Sequence, residues 1–599
     1  MDLHTSLVRA KRLACALPLL TLPLAGQPWI SAVANSASYA ISGQNGYGIA
    51  PGSLFVVFGY YLGPDKLQQT QGYPLPTTLA GTSVRITMGG QSWDAIMVYT
   101  LAQQIAAVLP SRVPTGSGFI TVTYNKQTSP QAPITVVPSA FGTYSVSSNG
   151  VGAGIVTRPD YQLASFASPF TPGDVLIIWG TGLGAVTGDE AGGPLPGNVF
   201  PGTEVFVGGQ PASVQYAGRS GCCAGMDQIV FQVPATAPLG CFVPVSIRSG
   251  AVVSNFTTIP IGTHDRACSD PVGVSSDIVA RLAAGQAVNV GVAAVGPIPI
   301  LQSVGFSFTQ GLADRFSRML HANVTEQQVK RIITARGSAR TRLLKAEMKR
   351  YATILNGRQM DVRAAIRLAR SFNDNGAAAG FTRLAGLDGL TSQFGSILPP
   401  AGTCTVTNAS SFNSRWPGVT TSARDAGTQM VLTGPVGTRI LTRISNGEYQ
   451  ADLGSGFASG QLPAGTYTIT TDGGTDVGPF TTPLVSGQLQ WTNGDAVAAV
   501  DRSQPFTVTW SGTGLTGYVL FGGASSDGLV RTAFACVEEA RKQTLTVPSF
   551  ILSSMPAATA NHGYLFLTMH PFQNPFTAAG IDAGYFADFS VSWRQIPYQ

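Results

Sequence analysis

Charge is scarce in this sequence: Asp, Glu, Lys and Arg supply 11% of 599 residues, and histidine occurs five times. So little charge excludes a long solvent-exposed helical bundle, while 44% hydrophobic residues exclude a disordered chain. The histidines are as thinly spread as they are few. His264, His321, His562 and His570 show no His-x-x-x-His spacing of the kind a zinc hydrolase uses, and they read as solvated loop residues. No Gly-x-x-x-x-Gly-Lys loop is present to cradle phosphate, and no Gly-x-Ser-x-Gly elbow falls between a strand and a helix. After the first 26 residues no stretch reaches the roughly 18 uninterrupted apolar residues that a membrane-spanning helix requires.

What is abundant points to sheets. There are 71 glycines and 39 prolines, which punctuate short apolar runs rich in β-branched and aromatic residues. A chain of this length divides into several cores. The expected fold is therefore mainly β, as tandem Ig-like β-sandwiches with an inserted α-helical segment. Arg9, Lys11 and Arg12, the apolar stretch 13–24 and Ala25-Gly26 have the order of a secretory signal over 1–26. Cys15 lies within it, but Arg12 stands where a lipid-attachment motif needs an aliphatic residue. An exported chain is oxidised, and Cys222, Cys223, Cys241, Cys268, Cys404 and Cys536 are an even set of disulfide candidates. The first four cluster and allow three internal pairings, which leaves Cys404 for Cys536. Adjacent Cys222 and Cys223 lack the two-to-four-residue hook of a structural zinc site, so no metal and no cofactor are expected.

An internal repeat organises the first half. PGSLFVVFGYYLGP (51–64) corresponds to PGDVLIIWGTGLGA (172–185), and the stretch from Gln103 corresponds to that from Asp227. In the second pair Pro110, Pro114 and Gly116 share one offset with Pro234, Pro238 and Gly240. Two modules, 28–140 and 141–264, follow from this. Beyond a mixed segment over 265–400, β patterning returns and predicts sandwiches over 401–488 and 489–599.

The Pro-Gly turn, apolar run and Gly-x-x-Leu-Gly of each repeat resemble IPT/TIG-type immunoglobulin-like domains. ISAVANSASY (31–40), GCCAGMDQIVFQVP (221–234), LQWTNGDAVAAVDRSQPFTVTWSG (489–512) and FTAAGIDAGYFADFSVS (576–592) are similar to a group of secreted acidobacterial proteins of the Solibacter type. That resemblance covers all but the middle of the chain. It implies family and carries no catalytic residue with it.

The middle departs from both. Between 311 and 370 there are fourteen Lys and Arg against four Asp and Glu. Leu344, Met348, Tyr351 and Leu355 keep helical spacing, as do Val362, Ala365, Ile366 and Ala369, predicting basic amphipathic helices over about 310–375. Arg342, Lys345 and Lys349 fall opposite the apolar stripe and are candidate contacts for an anionic surface. Export removes the chain from the chromosome, so nucleic acid is not the expected partner. Asp472, Asp476, Asp495, Asp501 and Asp582 stand mostly beside Gly or Asn, where Asp stabilises turns. Trp179, Trp491 and Trp510 sit in strand-like runs and are expected in cores. Tyr60, Tyr61, Tyr73, Trp93 and Tyr99 are the candidate ligand-contact aromatics. The function these features favour is non-catalytic: binding, adhesion or structure outside the cell or in the periplasm, with a polysaccharide or protein ligand. Two alternatives stand beside it: a carbohydrate-binding or accessory protein of polysaccharide degradation, and an enzyme with a site where the helical segment meets a β module.

Overall fold

The computed structural model describes residues 26–270, 275–297, 374–386, 399–408, 420–455, 462–487, 489–526, 531–570 and 574–599. The basic stretch that carries Arg342, Lys345 and Lys349 lies outside these residues, as do residues 1–25, which hold most of the expected secretory signal. Within them the protein is mainly β and built from antiparallel sheets.

The first module is a two-sheet sandwich. One sheet runs in the order Trp29–Asn35, Leu54–Tyr60, Gln104–Val108, Ile96–Leu101, Gln68–Gln69. The other centres on Gly116–Tyr124 and Thr82–Met88. Phe55, Val57, Ile105 and Ala107 from the first sheet meet Val84, Ile86, Ile120 and Val122 from the second, all buried, as two alternating faces require.

The second module repeats the pattern to the residue. Leu54 pairs with Val108 in the first, and the corresponding Val175 pairs with Gln232 in the second. Here the strand Gln210–Arg219 serves both sheets. Gln210, Pro211 and Ala212 pair with Thr203–Val207, and from Ser213 onward the strand pairs with Asp227–Gln232, with a bulge between Val214 and Tyr216. A strand that changes partners and bends at a nearby bulge turns the corner of a sandwich.

The C-terminal half differs from the expected pair of sandwiches over 401–488 and 489–599. Its largest sheet has the order Phe480–Ser486, Gly465–Thr471, Gln429–Thr433, Arg439–Ser445, Glu448–Ser455, Asp374–Ala385, Ala287–Pro297, Ala583–Asp588, Pro575–Phe576. Ala287–Pro297 and Asp374–Ala385 come from the mixed segment, and Ala583–Asp588 comes from the far end of the chain to pair in parallel with Ala287–Pro297. Thr403–Asn408 joins instead the sheet of Arg531–Glu539, Tyr518–Ser526, Gly563–Met569 and Val591–Gln595.

Burial explains the interleaving. In Ala287–Pro297, Val288, Val290, Val292 and Ala294 face one core, whereas Ala293 and Val295 face another. A strand apolar on both faces must lie inside a stack of layers. The second sheet also has two covered faces: Leu520 and Val537 meet that first core, and Phe521 and Cys536 pack with Trp510 and Val547 in a third. The short helix Ser276–Ala283 covers one end of the stack with Ile278, Val279 and Leu282, its first turn capped by the Ser275 hydroxyl.

All six described cysteines are bonded: Cys222 to Cys223, Cys241 to Cys268 and Cys404 to Cys536. Cys404 and Cys536 are directly opposed partners in one sheet, so their bond is a rung between strands and not a tie between two sandwiches.

Candidate functional site

The best-defined polar constellation is the joint between the two repeats. Asn35 ends the first strand and is 1% exposed. Its Nδ2 donates to the carbonyls of Ala140 (2.9 Å) and Thr181 (3.1 Å), and its Oδ1 accepts from Ala37 and Ser38. Both donors and the acceptor of a buried amide are thus used, and they tie module to module. Thr181 Oγ1 accepts from Leu54 N (2.9 Å) and donates to Gly225 O (2.6 Å).

Deeper in the joint Arg219 and Asp227 form an ion pair with side chains 2% and 0% exposed. Burial pushes the Asp227 carboxyl upward; the Arg219 guanidinium and the N–H groups of Leu183 and Gly182 pull it back. Arg219 Nη2 also donates to Gly184 O (2.6 Å). Gly52 of the first module turns with φ of 74° against this guanidinium, where a Cβ would lie 2.5 Å from Nη2. The Pro-Gly turn of the repeat is glycine here for that close approach. The two modules therefore share a buried, hydrogen-bonded joint.

Two adjacent cysteines sit on the edge of this joint. Ser220 Oγ accepts from Cys222 N (2.9 Å), Ser220 N donates to Met226 O, and Met226 N donates to Cys223 O. Gly225 closes the turn against Leu54 and Val108, where a side chain would collide. The turn is crossed from the first module by Tyr73, whose hydroxyl accepts from Ala224 N at 2.9 Å. Cys222 is exposed, Cys223 half-buried and Tyr73 44% exposed.

Leu54, Val56 and Phe58 lie beside Val108, Ala106 and Gln104 on one face of the first sheet, as their register requires. Tyr39, Phe58 and Tyr99 pack over Ala34, Val56 and Ala106. Burial raises the phenols of Tyr39 and Tyr99, and raises that of Tyr144 further; the Tyr144 hydroxyl meets Ser36 Oγ at 2.9 Å.

Of the five candidate aromatics, Tyr60, Tyr61 and Tyr73 are outward. Trp93 is packed against the core of the first sandwich, and Tyr99 is half-buried with its hydroxyl accepting from Gln104 Nε2 (2.7 Å). Those two are structural, because their strand positions turn them onto apolar neighbours. Trp510 is buried, with Nε1 donating to Ala540 O, whereas Trp179 and Trp491 are only half-buried. Sequence reasoning passed over Phe58 and Gln104, which a period-two count along their strands could have placed beside Tyr99, and Tyr39, which lies in the turn after Trp29–Asn35 where no such count applies.

The remaining acids and histidines do not converge. Asp501 accepts from Ser503 N and Oγ in a turn, Asp582 pairs with Arg281, and Asp495 pairs with Arg594. Among the described residues no three His, Cys, Asp or Glu side chains are grouped as metal ligands. His570 corrects the expectation of solvated histidines: it is 2% exposed, and burial pushes its imidazole down to about 3. No described helix is long and apolar enough to cross a membrane.

No family model and no curated protein matches this sequence. Similar solved structures include a Bacteroides ovatus protein, SGBP-B of a mixed-linkage glucan utilization locus, bound to a heptasaccharide. It shares 13% identity over 36% of this chain and 44% of its own, with a TM-score of 0.18. The chain thus spans less than half of that protein. Domains 4–9 of the surface layer protein SbsC share 12% identity over 93% of this chain and 83% of theirs, TM-score 0.15. A tandem Ig pair of titin shares 9% over 36% and 90%, TM-score 0.11. At these scores the likenesses carry no functional argument.

Proposed function

We propose that this protein is an exported, non-catalytic binding scaffold whose two N-terminal modules present a ligand-contact surface at their joint. The observation that carries this reading is the division of labour at that joint. Asn35, Thr181, Arg219 and Asp227 are buried and hydrogen-bonded between or beside the modules, while Tyr60, Tyr61 and Tyr73 point to solvent nearby in the chain. Recognition side chains presented from a hydrogen-bonded frame lower the entropy cost of binding. Export is supported by the pairing of all six described cysteines, since such bonds persist in oxidising compartments. The ligand class is extracellular polysaccharide or protein, and the IPT/TIG and acidobacterial likenesses belong to the same proposal. So does the assignment of Arg342, Lys345 and Lys349 to an anionic surface. The test is turnover set against retention. The chain without residues 1–26 should be retained on extracellular polymer or cell-envelope material and should leave glycoside, ester and peptide substrates intact. Turnover above a heat-inactivated control would remove the scaffold reading.

A further inference from the structure

The geometry points to a saccharide subsite formed by the Tyr73 ring and the Cys222–Cys223 disulfide, taking an uncharged hexopyranose unit of a neutral polysaccharide. This rests on the scaffold reading above and names its ligand.

The adjacent disulfide adds little to stability. Its two residues are one position apart, so closing the ring removes almost no freedom from the unfolded chain. The turn is held by other means, through Ser220, Met226, Thr181 and Tyr73. What the bond does change is the surface. Two thiols become one fixed, uncharged and polarisable disulfide, carried by the exposed Cys222 and the half-buried Cys223.

Beside it stands an aromatic ring that is equally fixed. The Tyr73 hydroxyl is tied to Ala224 N, one residue from Cys223, and the next residues are anchored by Leu75 N donating to Ala191 O (2.8 Å). Held at its polar end by the second module, Tyr73 is still 44% exposed. The segment that delivers it, YYLGPDKLQQTQGY over 60–73, is a series of exposed tyrosines and glutamines: Tyr60, Tyr61, Gln68, Gln69, Gln71 and Tyr73.

Those two residue types answer the two faces of a pyranose. Its axial C–H bonds form an apolar face that lies on an aromatic ring or on sulfur, and its equatorial hydroxyls need groups that both donate and accept, as carboxamides do. Charge is balanced here, with Asp65 and Lys66 the only ionised side chains over 60–73. A neutral sugar is therefore favoured over an acidic one, which would call for a cluster of cations.

The test uses the chain without residues 1–26 against soluble mixed-linkage β-glucan, xyloglucan, galactomannan and dextran, with alginate and polygalacturonate as the acidic set. Affinity electrophoresis and calorimetry read binding, and reducing-end release is read in parallel. At least one neutral polymer should bind. Its affinity should fall by about tenfold or more in Tyr73→Ala and in the Cys222→Ser/Cys223→Ser double variant, and should hold in Tyr161→Ala, which removes an exposed tyrosine of the second module. In the unaltered chain the same polymer should slow amide exchange over 71–75 and 220–226, a readout independent of any variant. Binding that survives the Tyr73 and cysteine changes, or protects other segments, overturns the subsite and leaves the scaffold reading standing. Binding confined to acidic polymers, or to none, overturns the ligand class. Release of reducing ends overturns the scaffold reading itself.

Discussion

The three disulfides close loops of very different size, and their removal should cost accordingly. Cys404 and Cys536 are 132 residues apart, Cys241 and Cys268 are 27 apart, and Cys222 and Cys223 are adjacent. In the chain-entropy description the first bond contributes about 5 kcal/mol, the second about 3.5 kcal/mol and the third less than about 1 kcal/mol. The first also holds an edge strand, since Thr403–Asn408 pairs with Arg531–Glu539 at the margin of its sheet. Replacing each pair by alanine and following amide exchange strand by strand isolates each effect in a chain with several cores. Without Cys404–Cys536, the opening constant for Thr403–Asn408 should rise by between three and four orders of magnitude, at about 1.4 kcal/mol per tenfold. Without Cys241–Cys268, the strand Gly240–Ser249 should open by about two to three orders more often. Without Cys222–Cys223, the neighbouring strands Gln210–Arg219 and Asp227–Gln232 should change by less than about tenfold. A loss from the adjacent pair as large as that from Cys404–Cys536 would refute the reasoning, and with it the claim that this ring is not a brace.

Two further expectations concern buried charge. Arg219→Met leaves the Asp227 carboxylate buried without its cation, and the first two modules should lose about 3–5 kcal/mol in denaturant unfolding, with partial recovery at acid pH as Asp227 takes a proton. His570 is neutral in the folded protein, with its imidazole pushed down to about 3, whereas in the unfolded chain it binds a proton below about 6.5. The unfolded state therefore holds the extra proton between these values. Stability is greatest above about pH 6.5 and falls by about 4–5 kcal/mol toward pH 3 on account of this group. His570→Asn should lack that increment when midpoints are compared across pH, and parallel curves for the two proteins would defeat the assignment.

The sequence by itself determined the repeat and its register. PGSLFVVFG and PGDVLIIWG are matching apolar runs after a Pro-Gly turn, and each is followed at a near-constant spacing by a matching second run, so the two copies take equivalent pairings. That is why Leu54–Val108 and Val175–Gln232 are equivalent pairs. It also determined that the six described cysteines pair among themselves, and that Trp510 is interior.

Only the tertiary structure decided which strands share a sheet in the C-terminal half. Ala287–Pro297 is apolar on both faces, which announces burial but names no neighbour, and its partner Ala583–Asp588 lies hundreds of residues away. The same holds at the candidate site. Tyr73 and Ala224 are 151 positions apart, and nothing local in either segment encodes their hydrogen bond. Periodicity reports the face a residue presents. Which surface meets that face depends on how whole layers pack, and that is settled only when distant segments bury their apolar area together.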